Sequence, residues 1–255
     1  MKDRDRARKI GLARALSKLG YSSRSRAAEL IYAGRVTLNG KIRRNPETPV
    51  SEKYDRLAVD GKSVEQGNKV YLMMNKPRGV ITTASDEDGR DTVYTVLADY
   101  AAKSCLRVEP WVAPVGRLDK GSEGLLLLTN DSEWAARIIA PQSHLDKTYH
   151  VQVRSVLEDE SILALLRGIK VRNGEVLRAK RVRRLRSGQK NCWLEIILDE
   201  GRNRQIRRMM EALGSEVLRL IRVAVGPLQL AELAKGAHRP LTAKEKRALD
   251  GAMQK

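Results

Sequence analysis

The sequence has no phenylalanine, and aromatic residues make up only 4% of its 255 residues. Any surface that stacks on nucleic-acid bases must therefore use Tyr, Trp, His or Arg. There are two cysteines, Cys105 and Cys192, and three histidines, and none of these residues forms a cluster. Their scarcity argues against a disulfide framework and against a zinc site with regularly spaced ligands. We therefore expect neither a metal ion nor an organic cofactor.

Long apolar segments are also missing. No run approaches the roughly 18 apolar residues of a membrane-spanning helix. Residues 1–10, MKDRDRARKI, are charged and lack the apolar core of a signal peptide. No segment combines a basic amphipathic helix with bulky apolar anchors, the pattern of a membrane-surface protein. We expect a cytoplasmic, monomeric protein that does not bind membranes.

Acidic residues are in deficit, with 31 Asp and Glu against 49 Lys and Arg, a formal net charge of +18. Such an excess indicates a polyanionic partner but says nothing about the fold. Residues 1–60 alone hold 15 basic and 7 acidic residues, a net +8. The N-terminal quarter is therefore a candidate nucleic-acid-binding module.

This N-terminal module has a recognisable local pattern. Apolar residues at helical spacing predict one helix, and a second one that Ser22 or Ser23 caps and Gly34 ends. Asn39 and Gly40 then predict a hairpin turn between two short strands. The order helix, helix, hairpin over residues 8–61, with the segment GRVTLNGK at 34–41, resembles the S4-type RNA-binding domain. The alternative is a small helical cap whose basic face is only solvated. The basic residues expected to contact RNA here are Arg14, Arg24, Arg26, Arg35, Lys41 and Arg43.

The rest of the chain alternates between strand and helix patterns. We predict a polar linker over residues 62–69, a larger domain over 70–240 and a charged, frayed C-terminal tail over 241–255. The predicted class is α+β: a small N-terminal α/β domain, then a domain with a mixed, largely antiparallel sheet flanked by helices. The basic run from Lys180 to Arg184 is expected to be solvated or to face RNA.

The most informative stretch is VGRLDKGSEGLLLLTND at residues 115–131. It places one carboxylate, Asp119, in a glycine-rich turn directly before the apolar run Leu125 to Leu128. The stretch resembles the signature of the RsuA/RluB-type pseudouridine synthases. Four further segments resemble that family in the same order: NKPRG at 75–79, KTYHVQV at 147–153, EGRNRQIRRM at 200–209, and RLIR at 219–222 with Gly226 and Pro227. With the N-terminal module, the resemblance spans residues 8–240.

The resemblance implies an enzyme that isomerises uridine in ribosomal RNA, by detaching the uracil from C1′, turning it over and rejoining it through C5. Asp119 would act on the sugar, either as nucleophile at C1′ or as base at C2′, and the residues leave both open. Arg207 would be the positive partner that keeps a buried Asp119 ionised. Tyr149 would offer its ring to the uracil. Arg117 would fill the space that the flipped base leaves, and Leu220 or Ile221 would line the uracil pocket.

The remaining basic residues of these motifs are better explained as phosphate contacts than as chemistry. They are Lys76, Arg78, Arg202, Arg204 and Arg208. The expected partner is ribosomal RNA, either free or in a ribosome-assembly intermediate; small-subunit and large-subunit RNA stay equally open.

Other classes fit the residues less well. No Gly-Lys-Ser/Thr sequence supports an NTPase. A glycosidase pair of Asp119 and Glu123 would leave the charge of +18 unexplained. An S4-bearing tRNA synthetase would need histidine-rich ATP motifs. The serious alternative is a non-catalytic RNA-binding or ribosome-assembly factor on the same scaffold, which would be expected to lack at least one of Asp119, Tyr149 and Arg207.

Overall fold

The computed structural model describes residues 9–84, 86, 88–104 and 110–253. The chain divides into two compact units. The first contains the chain up to Tyr71 together with Cys105–Ala113 and Leu128–Ser132, and the second contains Leu72–Ser104, Pro114–Leu127 and Glu133–Lys255. Each unit is described by itself.

The first unit has the predicted order of two helices followed by a hairpin. Its elements are β1 (Lys9–Gly11), α1 (Leu12–Lys18), α2 (Arg24–Tyr32), β2 (Val36–Leu38), β3 (Lys41–Ile42), β4 (Pro49–Ser51), β5 (Leu57–Val59) and β6 (Lys62–Ser63). Strands β3, β2, β5 and β6 form one sheet in that order, and β1 pairs with β4. The Ser23 side chain accepts a hydrogen bond from the backbone N of Arg26 and caps α2. Asn39 and Gly40 have φ of 53° and 78°, as a two-residue hairpin turn requires.

The predicted linker begins too early. Lys62 and Ser63 are the strand β6, which pairs with β5. Val64 packs against the apolar core of the first unit and donates its backbone N–H to Leu57 O. The strand β6 and the packed side chain of Val64 therefore extend the first unit beyond residue 61.

The second unit is built on a nine-stranded, mostly antiparallel sheet. Its long strands are β7 (Tyr71–Lys76), β9 (Glu123–Thr129), β10 (Lys147–Val153), β13 (Arg181–Ser187), β14 (Cys192–Leu198) and β15 (Val217–Val225). Its shorter strands are β8 (Ala113–Val115), β16 (Leu228–Gln229) and β17 (His238–Pro240), while β11 (Ile169–Lys170) and β12 (Val176–Leu177) form a separate two-stranded sheet. The sheet order is β13, β14, β10, β15, β9, β7, β17, with β15 and β9 parallel. The helices are α3 (Val93–Ser104), α4 (Ser132–Ile139), α5 (Asp159–Arg167), α6 (Gln205–Ala212) and α7 (Ala243–Ala252). The predicted α+β class is confirmed.

One face of this sheet is apolar and packs against α5 and α6. Val151, Leu194 and Leu220 from three adjacent strands share a core with Leu165 of α5 and Met209 of α6. Because successive strand residues alternate between faces, Trp193, His150 and Arg219 project from the opposite face. One face of the sheet is thus apolar, whereas the other carries aromatic, polar and charged side chains.

One prediction for the second unit was wrong. The predicted C-terminal tail contains the helix α7, because Thr242 and Glu245 form a capping box at its start and Leu249 is fully buried. The indole of Trp134 also donates to Asp250 at 2.8 Å. The basic run from Lys180 to Arg184, expected to be solvated or to face RNA, lies mostly in the exposed edge strand β13, which has a register shift between Arg184 and Arg186.

Candidate active site

Asp119 lies in the turn between β8 and β9. The backbone N of Ser122 donates to Asp119 O at 2.9 Å and closes the turn. Gly124, at the start of β9, has φ of +105°, and a Cβ there would lie 2.3 Å from Arg222 O. Only glycine fits this close approach of β9 to β15. The turn is therefore anchored at the point where these two parallel strands meet.

The Lys76 side chain supports this turn through hydrogen bonds to its backbone. Its side chain is fully buried, and Nζ donates to Pro77 O at 3.0 Å, to Ser122 O at 2.9 Å and to Asp119 O at 3.3 Å. These bonds use all three donors of the ammonium group. Burial lowers the pKa of Lys76 to about 8, although Asp119 nearby opposes that shift. The prediction that Lys76 contacts RNA phosphate is wrong, because no surface of this side chain reaches solvent.

The segment after Lys76 gives the turn further support. The Gly79 backbone N donates to Lys120 O at 2.7 Å, and the Thr82 hydroxyl donates to Leu118 O at 2.7 Å. Arg78 is exposed and donates to Leu218 O at 3.2 Å. The NKPRG motif and Thr82 together therefore support the backbone on both sides of Asp119.

The Asp119 carboxylate is 38% exposed, and its ion-pair partner is Arg204. Arg204 Nη1 lies 3.7 Å from Asp119 Oδ2, and the Arg204 side chain is 54% exposed. Arg204 precedes α6 with φ of 48°, a left-handed conformation that non-glycine residues rarely adopt. The expected pairing of a buried Asp119 with Arg207 is not what the structure has.

Arg207 is directed to the backbone of the turn instead of to the carboxylate. Its Nη2 donates to Gly121 O at 2.9 Å and its Nη1 to Val217 O at 3.3 Å. Its Nε is buried and has no hydrogen-bond partner among the described residues. Burial lowers the pKa of Arg207, the neighbouring Arg204 lowers it further, and Asp119 acts in the opposite direction. Arg207 thus joins the turn to the start of β15 and remains close enough to Asp119 to interact with its charge.

Tyr149 and Leu220 share the sheet face on which α6 packs. Tyr149 is half-buried against the core that contains Leu220 and the α6 residue Ile206. Ile221 pairs with His150 and projects from the other face. Of the two predicted pocket residues, the structure thus brings only Leu220 to the face of Tyr149 and α6.

The predicted phosphate contacts differ in whether they are already paired. Those that are exposed without a carboxylate within 4.0 Å, among the residues the structure describes, are Arg14, Arg24, Lys41, Arg43 and Arg78. Arg117, predicted to fill the space of the flipped base, is exposed in the same way. Arg26 pairs with Glu29 at 2.6 Å, and Arg35 pairs with Asp60 at 2.5 Å. The first unit therefore keeps four unpaired cations from the predicted set.

Arg202 and Arg208 belong to one ion cluster around Glu175. Arg202 Nη1 lies 2.5 Å from Glu175 Oε1, and Arg208 contacts the other carboxylate oxygen. Hydrogen bonds from Arg208 and then Arg202 lower the pKa of Glu175 to about 2. Sequence reasoning missed this cluster because no local pattern connects Glu175 to residues some thirty positions later.

A second missed cluster surrounds Glu123. Burial alone would raise the pKa of Glu123, but hydrogen bonds from Arg219 and Lys235 lower it below its usual value.

Within the described parts of the chain, no group of three or more His, Cys, Asp or Glu residues could hold a metal ion. No helix in those parts is long and apolar enough to span a membrane.

The chain is similar to known proteins over most of its length. A profile described as RNA pseudouridylate synthase matches residues 70–212, and one described as S4 domain matches residues 10–55. The "Ribosomal large subunit pseudouridine synthase B" of Bacillus subtilis (strain 168) is 36% identical over 239 residues, which cover 93% of this chain and 94% of that protein. An "Uncharacterized RNA pseudouridine synthase" of Aquifex aeolicus (strain VF5) is 36% identical over 233 residues, 91% of this chain and 90% of that protein. A crystal structure of a pseudouridylate synthase has a TM-score of 0.60 and 30% identity, covering 94% of this chain and 99% of that one.

Proposed function

This chain belongs to the RNA pseudouridylate synthase family, and from that membership we propose that its substrate is a uridine of large-subunit ribosomal RNA. Isomerisation of uridine to pseudouridine is the family's activity, and the chain matches the family over residues 70–212. The choice of large-subunit RNA is supported by relatives in Bacillus subtilis, Yersinia pestis and Escherichia coli, which are 35–36% identical and are each named "Ribosomal large subunit pseudouridine synthase B". The S4 domain supports binding to structured RNA.

The observation that carries the mechanism is a half-exposed carboxylate on a rigid turn. Lys76 and Arg207 bind the backbone of this turn from two sides, so the Asp119 side chain needs little reorganisation before it meets the sugar. As nucleophile, Asp119 would form a bond to C1′ while the bond from C1′ to N1 breaks. As base, it would take the C2′ proton while the bond from C1′ to N1 breaks, leaving a glycal. In the first route C5 of the turned uracil then bonds to C1′ as the bond from C1′ to Asp119 breaks. In the second route C5 bonds to C1′ of the glycal and Asp119 returns its proton to C2′. In both routes the C5 proton then leaves to water.

The neighbouring residues support this chemistry by position. Tyr149 and Leu220 supply an aromatic and an apolar surface on the α6 side of the sheet, suited to a flipped uracil. Arg204 supplies the counter-charge in the free enzyme. Arg117 is exposed two residues before Asp119, where it could enter the RNA stack as the base leaves. The unpaired cations of the first unit would hold phosphates.

Other properties follow from the substrate. A protein that modifies ribosomal RNA would work in the cytoplasm, on free RNA or on a ribosome-assembly intermediate. A monomer suffices, because Asp119, Arg204, Arg207 and Tyr149 all come from one chain.

The test is Asp119→Asn, assayed by tritium release from RNA that contains 5-tritiated uridine. We expect turnover to be abolished and RNA affinity to stay near wild type, since phosphate contacts dominate binding. Asp146→Asn is the matched control. Asp146 pairs with Lys180 at the surface, so this variant should keep wild-type turnover. Wild-type turnover by Asp119→Asn would refute the role of this residue.

A deletion strain tests the substrate. Mapping pseudouridine in its ribosomal RNA should reveal one or more sites missing from large-subunit RNA and restored by the wild-type gene. Sites missing only from small-subunit RNA would overturn the substrate proposal. No missing site, together with no tritium release, would indicate the non-catalytic RNA-binding alternative.

A further inference from the structure

The sheet face opposite the apolar core carries a row of side chains that the proposed chemistry does not use. Strand pairing aligns Arg186 of β13 with Trp193 of β14, Trp193 with Gln152 of β10, and Gln152 with Arg219 of β15. All four lie on this one face, because residues directly opposite each other in paired strands project to the same side. We call these four residues the arginine–tryptophan row.

Two guanidinium groups of the row lie over one indole ring. The Arg186 Cζ is 5.0 Å and the Arg219 Cζ 5.9 Å from the centroid of the Trp193 ring, both within the range of a cation–π contact. A guanidinium that stacks on a ring still directs its N–H groups outward along its edge. The ring thus fixes two cations in defined orientations without neutralising either one.

The row keeps donors for an anion. Arg219 binds Glu123 through Nε at 2.5 Å and Nη2 at 3.1 Å, so its Nη1 has no hydrogen-bond partner among the described residues. Lys235 also binds Glu123, at 3.1 Å, which leaves this group of three residues with a charge of +1. Arg186 is exposed and has no carboxylate within 4.0 Å in the described parts of the chain. Together with Glu123 and Lys235, the row therefore has a net charge of +2.

The row lies at the same end of the sheet as Asp119. β15 and β9 run parallel, with Ile221 opposite Glu123. Arg219 also binds Glu123, the first residue of β9, four residues after Asp119. A chain of phosphates that passes this end of the sheet could meet both the row and the turn.

We propose that the arginine–tryptophan row binds the phosphate backbone of the substrate RNA beside the nucleotide that enters the active site. The occupant is a polyanion because the row has fixed cations and no extended apolar surface, and because the whole chain carries +18. The proposal rests on the proposed RNA substrate. It also assigns a role to the basic run that forms β13.

The test is RNA affinity as a function of KCl concentration, measured by fluorescence anisotropy on a large-subunit ribosomal RNA fragment. Arg186→Gln should reduce the slope of log affinity against log salt by about 0.7 to 0.9, the value for one lost phosphate contact. Trp193→Leu should weaken binding about two- to five-fold, because Arg186 and Arg219 lose the ring that orients them. Trp193→Phe keeps an aromatic face and should bind more tightly than Trp193→Leu.

Arg172→Gln is the charge-matched control. Arg172 is highly exposed and pairs with Glu211 in the last part of α6, away from the row, so its loss should leave the slope unchanged. Arg172→Gln should also keep the wild-type rate of single-turnover tritium release at saturating enzyme, because Arg172 belongs neither to the row nor to the active site. Thermal melting shows whether Trp193→Leu is folded, and Arg186→Gln, at an exposed position, tests the proposal independently of that result.

Two results would overturn the proposal: a wild-type slope for Arg186→Gln, as expected if the row binds a protein instead, or equal losses of slope for Arg186→Gln and Arg172→Gln. Failure of the proposed function has a different signature. In that case wild-type protein releases no tritium from any RNA, whatever the slopes of the variants.

Discussion

Replacing Lys76 by methionine tests whether the hydrogen bonds of Lys76 keep the backbone of the Asp119 turn in place. Methionine has a similar length and keeps the apolar stem, but it cannot donate the hydrogen bonds that the carbonyl oxygens of Pro77, Asp119 and Ser122 accept from Lys76. Leaving each carbonyl without a donor costs ~1–3 kcal/mol. A turn displaced by about 1 Å loses about 10²-fold in rate. We therefore expect single-turnover tritium release to fall by about that factor, with RNA affinity unchanged because Lys76 is fully buried.

The pH dependence of stability gives an independent measurement. The pKa of Lys76 falls from 10.5 to about 8 on folding, which costs the folded state ~3 kcal/mol while the ammonium is charged. Between pH 8 and 10.5 the unfolded chain binds more protons at this site than the folded chain, so stability rises with pH there. Above 10.5 the lysine is neutral in both states and the cost is gone. The free energy of unfolding of wild type minus that of Lys76→Met should thus rise by ~3 kcal/mol across this range in urea titrations.

Lys120→Met is the control, because Lys120 is exposed and adjacent to Asp119 and its loss removes the same charge. It should leave both the rate and the pH dependence at wild-type values. A wild-type rate for Lys76→Met, or a difference curve that stays flat between pH 8 and 10.5, would refute the reasoning.

Four further predictions concern the two arginines near Asp119, the cations of the first unit and the cofactor-free reaction. Arg207→Gln should lower single-turnover tritium release by more than about 10²-fold, because its bonds to the turn and to β15 are lost. Arg204→Gln should change the rate by no more than about five-fold, because its pair with Asp119 is half-exposed; equal effects would contradict the difference between the two arginines. Replacing the four unpaired cations of the first unit by glutamine should reduce the salt slope of RNA binding by up to about 0.7–0.9 for each and leave the saturated rate intact; an unchanged slope would mean that they face solvent. These residues are Arg14, Arg24, Lys41 and Arg43. Activity should survive dialysis against excess chelator, and loss that one specific metal restores would contradict a cofactor-free reaction, unless that metal only folds the RNA.

Local patterns predicted most of the elements correctly. The two helices and the hairpin of the N-terminal module are in the predicted order, because Ser23 caps α2 and Asn39 and Gly40 form the turn. The prediction of a frayed tail at 241–255 was wrong. The segment has a charged composition, but a capping box and one buried residue, Leu249, stabilise a helix in it. Short helices depend on tertiary contacts that a composition does not reveal.

The site was predicted as a set of residues but not as a geometry. Asp119, Tyr149 and Arg207 were singled out by motif, yet motif alone assigned Arg207 to the carboxylate and Lys76 to phosphate. The structure has Arg207 on the Gly121 carbonyl, Arg204 on the carboxylate and Lys76 beneath the turn. Charge and spacing are visible in a sequence, but whether a cation faces solvent or a carbonyl depends on burial across distant strands.

The supports of the Asp119 turn also set the order in which the site can form during synthesis. Lys76 precedes Asp119 by 43 residues, whereas Arg207 follows Gly121 by 86 residues and bonds to Val217 as well. At about 5–20 residues per second, a ribosome makes Asp119 about 5–20 s before it finishes β15. Contacts that span so many residues form slowly even in a complete chain. A nascent chain thus carries its reactive carboxylate long before that carboxylate is fixed, and a product truncated before α6 would present RNA-binding cations without a formed catalytic turn.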